Sequence, residues 1–262
     1  MSVLPGPRLI SAEILKLRKR RGLMIACGLM TIGIIVVVNT VLIVLHAVNP
    51  DHHGPAGGFS NLGGASGALS LLGSVAAVLV GATTGAGDLN AGVFRELVVT
   101  GRSRVALFLA RIPGGLAVLW TFIIVAFVIT AIISAAFAGS EAAPSLALIV
   151  KGGLWLLLDT GFWFVLSLGV ASLVGSRSTT IGVLLAFRLA VIPILTQFGF
   201  LGASREALPG PAVERLAPAR LANDVRHSAD LHMVLGTAVL VTVLWTVISL
   251  AAGAWRTRTR DA

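Results

Sequence analysis

The chain has 262 residues, of which 56% are apolar and only 12% charged, with a formal net charge of +9 and a mean hydropathy of +0.95. Soluble domains carry about a quarter charged residues, so this composition excludes a pair of soluble domains and points to a polytopic membrane protein. The basic residues flank apolar runs and form no face with interleaved stacking aromatics, so the charge speaks for membrane orientation and against nucleic acid as a partner.

The first element is an amphipathic segment, Arg8–Arg21, with Leu9, Ile10, Ile14 and Leu17 at helical spacing and Arg8, Lys16, Lys19 and Arg20 to the other side. It reads as a helix lying in the inner membrane interface. The apolar run behind it is too long for the core of a cleaved signal peptide and lacks a small-residue cleavage site, so the first span is expected to remain. Cys27, the single cysteine, falls inside that run and reads as packing filler.

Six spans follow by hydropathy, at about 22–48, 62–85, 112–137, 145–174, 179–202 and 232–255. The predicted fold class is therefore all-α, one transmembrane domain over 1–262. An even number of spans puts both termini on one side. Fourteen bases lie on the terminal side (Arg8, Lys16, Arg18, Lys19, Arg20, Arg21, Arg95, Arg102, Arg104, Arg111, Arg177, Arg256, Arg258, Arg260) and four in the opposite loops (Arg205, Arg215, Arg220, Arg226). By the positive-inside rule the termini are expected in the cytoplasm of a cell-membrane protein.

Two connections carry most of the information. Residues 86–111 between the second and third spans are Gly-rich, polar and basic, with an apolar stripe of Val93, Leu97 and Val98 and charged rims at Arg95, Glu96, Arg102 and Arg104. That is a small docking interface, an apolar centre with a charged edge. Asp88 is expected to cap a short helix over Gly92–Ser103. The loop 203–231 is the longest and combines Pro209, Pro211 and Pro218 with Leu208, Val213, Leu216, Leu221 and Val225. It reads either as proline-broken short helices folding back on the mouth of a translocation path or as a plain exposed connection.

Two ionisable groups fall inside spans, Asp159 in the fourth and Arg188 in the fifth. Such groups face a partner or water, and antiparallel neighbours bring these two to similar depth. The expectation is an ion pair pinning the two helices, or else a polar patch on a substrate path or two side chains that snorkel apart. Lys151 is expected to snorkel. His46, His52 and His53 with Asp51 lack a metal-site spacing and read as a solvated turn, so no metal is expected. No nucleophile and base arrangement points to a hydrolase, and no Gly-rich phosphate loop with its Lys is present.

The entry helix, the six spans, the polar connection after the second and the long loop before the sixth resemble the membrane subunit of ABC exporters of the type-2 permease class. In that family the connection carries an acid, then Gly-Thr, an apolar pair, a Pro-x-Ser-Arg-like turn and a later base. The matching positions here are Asp88, Gly92-Val93, Leu97-Val98, Ser103-Arg104 and Arg111. The departures are Asp for Glu, Val93 for Thr and Gly101 near the expected Pro. The resemblance implies that Asp88, Gly92, Val93, Leu97, Arg102, Arg104 and Arg111 couple to two copies of a separate ATP-binding subunit that holds ATP and Mg. It also implies a second permease subunit, identical or homologous, and a hydrophobic or amphipathic cargo such as a drug, antibiotic or lipid. The chain itself would then hold no cofactor and be no enzyme. The alternatives are a secondary transporter driven by an ion gradient, against which stands the presence of only one acid in the spans, and a non-transporting anchor or immunity protein.

Overall fold

The computed structural model describes residues 6–90, 92, 103–221 and 233–259, and of Leu89 and Asn90 the backbone only. Those residues form helices, with no strand among them. In chain order they are α1 (Pro7–Arg18), α2 (Arg21–Val48), α3 (Gly58–Asn90), α4 (Arg104–Ala136), α5 (Leu146–Val174), α6 (Arg177–Gln197), a 3₁₀ segment (Gly199–Ala207), α7 (Pro209–Arg215) and α8 (Leu235–Thr259). Six of them, α2 to α6 and α8, are long and apolar enough to cross a membrane. The molecule is an all-α, multi-pass membrane protein.

Local signals set the helix ends. Ser103, Ser145 and Ser176 are N-caps whose hydroxyls accept from the backbone N–H three residues on, at 3.0, 3.3 and 3.4 Å. Gly175, in the left-handed region at φ 79°, terminates α5. The hydropathy boundaries miss these caps. Helix α4 begins at Arg104, eight residues before the apolar run, while α6 ends at Gln197, short of the predicted 202. Helix α5, the longest predicted span, runs unbroken.

The bundle has a centre and a rim. In the most apolar window of α3 and of α5, 72% is buried, against 17% for α2 and for α8. What draws α3 and α5 together is small residues, since lipid supplies no hydrophobic drive for one apolar helix to seek another. Along α3, Ser66, Ser70 and Ser74 and then Ala77, Gly81 and Gly85 recur every fourth residue. A Cβ at Gly81 would stand 2.5 Å from the Phe164 carbonyl oxygen, and one at Gly85 2.6 Å from that of Leu168. The close approach lets Ser167 donate to the Val78 carbonyl at 2.8 Å. Gly81→Val is therefore expected to push α3 from α5 and lower stability by about 1–3 kcal/mol or more, measured as a drop in the SDS fraction that unfolds the protein in mixed micelles.

Contacts at the two ends fix the topology. Lys16 of α1 bonds Asp88 at the end of α3, and Arg104 at the start of α4 donates to the Arg258 carbonyl near the end of α8 at 3.3 Å. Helix α1 and the end of α8 thus lie at one end of the bundle, the terminal end. At the distal end Asn61 Nδ2 donates to Asn39 Oδ1 (3.0 Å) and Ser134 Oγ (3.2 Å), tying α2, α3 and α4. His46 Nδ1 lies 2.8 Å from the His53 carbonyl oxygen, closing the first distal loop. Lys151 is exposed.

Candidate functional site

Two buried charge clusters stand out, one at the terminal end and one within the bundle. In the first, Asp88 is 3% exposed and receives Lys16 Nζ on Oδ1 and Arg111 Nη2 on Oδ2, each at 2.8 Å. Lys16 also bonds Glu13 at 2.7 Å, and Arg111, buried at 2%, donates a second bond to the Gly85 carbonyl at 3.2 Å. One carboxylate thereby locks three elements: the entry helix, the end of α3 and the start of α4. Gly114 makes the fit possible, because a Cβ there would stand 2.7 Å from Glu13 Cβ.

This corrects two expectations. Asp88 sits in the last turn of α3, where the helix dipole disfavours an anion and two cations compensate it, while the helix over Gly92–Ser103 that it was expected to cap falls mostly outside the described residues. Lys16 faces inward to Asp88, not out to solvent with Arg8 and Lys19. Nor is 86–111 a separate segment, since α3 and α4 run into it from both sides. Gly92 has φ 70°, a left-handed turn. Val93, Leu97 and Arg102 lie outside the described residues.

The second cluster is built on α6 and α7. Pro193 lacks the N–H that would bond Leu189 and its ring crowds that carbonyl. The preceding turn, Phe187–Val191, widens into a π-helix that contains Arg188. Arg188, 4% exposed, extends Nη1 to Glu214 Oε1 at 3.3 Å and Nε to Ser74 Oγ at 3.5 Å. Its Cζ lies 5.1 Å from the centroid of the Trp163 ring. Asp159, 1% exposed, accepts from Ser70 Oγ at 2.8 Å.

The close partner of Arg188 is thus Glu214 and not Asp159, and the expected direct pair between α5 and α6 is replaced by an indirect one. Ser70 and Ser74, one turn apart on α3, hold one charge each. Glu214 lies in α7, whose residues Pro209 to Glu214 are all buried. Prolines begin that helix because its first N–H groups need no partner. Trp155 Nε1 donates to the Val213 carbonyl at 3.0 Å, and Trp245 Nε1 to that of Ala207. Trp155 and Arg188 each lie nine residues inside the distal ends of their helices, about 14 Å at 1.5 Å per residue. Residues 209–215 therefore re-enter the bundle from its distal end, where surrounding protein satisfies their backbone. Glu214 was missed because a loop acid reads as solvated; its signal was the Pro-initiated PGPAVER with apolar Ala212 and Val213 beside it.

No protein-family model matches this chain, and no curated protein matches it either. Its function is accordingly argued from these two clusters.

Proposed function

We propose that the chain is the membrane subunit of an ATP-driven exporter, with both termini in the cytoplasm, working as a pair with an identical or homologous subunit on two separate ATP-binding subunits. The observation that carries this reading is the Asp88, Lys16 and Arg111 lock. It fixes α1, α3 and α4 as one unit on both flanks of residues 91–102, the stretch with an apolar stripe and charged rims. A force applied there by a partner would reach α3, which lies against α5 at the bundle centre, without loss in a loose linker. Arg104, at the start of α4, is expected to contribute to the docking rim. Affinity purification of the chain from its native membrane should bring down an ATPase whose activity depends on it, and Arg104→Glu should leave the chain inserted while uncoupling ATP hydrolysis from transport. Purification without an ATPase, or unchanged transport in Arg104→Glu vesicles, removes the proposal.

One observation favours a second reading. A single acid in the spans speaks against an ion-gradient transporter, but Glu214, 3% exposed, adds a second buried acid to Asp159. Uptake into vesicles driven by a proton gradient without ATP would decide for that reading.

A further inference from the structure

The distal cluster borders a cavity. Its volume is about 240 Å³, and it is lined by Leu71 of α3, by Arg188, Leu189, Ile192 and Pro193 of α6, and by Glu214 of α7. One nitrogen donor of its lining, Nη2 of Arg188, has no hydrogen-bond partner. Arg188 is 4% exposed. Buried donors are normally satisfied, so the site is short of an acceptor.

We infer that this cavity binds a neutral, lipophilic carbonyl compound, whose oxygen accepts from Arg188 while its apolar body lies against Leu71, Leu189, Ile192 and Pro193. Charge selects the class. Among the described residues, Asp159 and Glu214 lie by the single guanidinium of Arg188, so an anion would add a third negative group there. A cation would meet the like charge of the guanidinium. A neutral oxygen meets neither objection.

Depth and size narrow it further. The cavity sits about 14 Å inside the distal helix ends at 1.5 Å per residue, and a hydrocarbon core is about 30 Å thick, so a phospholipid headgroup does not reach it. The volume of 240 Å³ is below the roughly 300–1,000 Å³ of drug-sized sites. The cavity therefore takes a small ketone, or the carbonyl-bearing part of a larger ester or amide. Leu189, 46% exposed, places one wall on the outer surface of the helix, from which a molecule dissolved in the bilayer enters sideways. The site would serve as the cargo site of the transporter proposed above, but it rests only on the geometry of α3, α6 and α7.

Benzophenone, a small lipophilic ketone that links to nearby C–H bonds when irradiated, tests it on the full-length protein in lipid nanodiscs. Saturable labelling is expected on the peptides holding Leu71 and Leu189 to Pro193. Diphenylmethane, the same body without the carbonyl, should compete at least about tenfold less well, as a hydrogen bond from a charged donor demands. In the neutral double variant Arg188→Met with Glu214→Gln that preference should vanish, with folding checked by SDS titration. Equal competition by diphenylmethane, labelling away from these residues, or no saturable labelling, as when a water alone meets Arg188, would each overturn the site. No ATPase enters this experiment, so a missing motor subunit overturns the transporter reading alone, and transport without saturable labelling overturns the cavity alone.

Discussion

Glu214→Ala is expected to destabilise the bundle by about 3–5 kcal/mol, the usual consequence of removing one partner of a buried ion pair. Arg188 is 4% exposed and its remaining hydrogen bond, from Nε to Ser74, is 3.5 Å long, at the limit of the interaction. It cannot swing to water without displacing α7, which lies between α6 and α8. Arg188→Ala should cost a similar amount, since it removes the other member of the same buried pair. The double variant Arg188→Met with Glu214→Leu should recover most of either loss, because an apolar pair of similar volume replaces a desolvated ion pair at little or no net cost. Asp159→Asn should be mild, about 1 kcal/mol or less, since the Ser70 hydroxyl can still donate to the amide oxygen. SDS unfolding in mixed micelles, run as a double-mutant cycle, ranks these variants. A ranking in which Asp159→Asn costs more than Glu214→Ala would return Asp159 to the role of principal partner and remove the latch on α7.

That ranking bears on what the sequence made legible. Hydropathy carried the six spans, because a 20-residue apolar run has few other uses. The entry helix was legible too, with Leu17 buried at 1% on its predicted apolar face. Asp159 and Arg188 were legible as important, because charge in a span needs a reason. Their partners were not. Pairing by depth considers only the spans, and the structure brings a third element, α7, to the same depth from a loop whose hydropathy is unremarkable. Lys16 fell to a related cause. A helical wheel assigns a lysine to solvent, but an acid 72 residues away lies against that face, and no local pattern encodes such a meeting. The serine stripe of α3 packs that helix and also bonds both buried charges, through Ser70 and Ser74.

The exposed flanks of the bundle follow from the same division of labour. Helices α2 and α8 present Val37, Val41 and Val44 and Leu240, Val243 and Val247 outward, as faces meeting lipid or a second subunit must. Polar groups are gathered inward on α3 and α5, where seryl and asparaginyl side chains bond across helices. The ionic clusters mark the two places where that rule is broken, and each break occurs where an element outside the six spans, α1 or α7, is fastened to them.

Fastening of α1 gives the second large effect expected. Asp88→Leu should cost about 3–5 kcal/mol, because it strands Arg111, 2% exposed and held only by the Gly85 carbonyl, beside a lysine of like charge. Arg111→Leu should cost somewhat less, since Asp88 keeps Lys16. Lys16→Met should cost under about 1 kcal/mol: its side chain is 31% exposed, solvent screens the pair, and Asp88 keeps Arg111. The ordering follows from which group can reach water when its partner is removed. Amide hydrogen exchange on α1 gives an independent readout, and Asp88→Leu should release protection across Pro7–Arg18 while leaving α5 protected. In the transporter reading the same variant should retain ATPase binding but lose the coupling of hydrolysis to transport, because α1, α3 and α4 no longer move as one body. If Lys16→Met proves as damaging as Asp88→Leu, or α1 keeps its protection without the carboxylate, then apolar packing around Leu17 and Gly114 holds the entry helix, and the ionic lock is incidental to it.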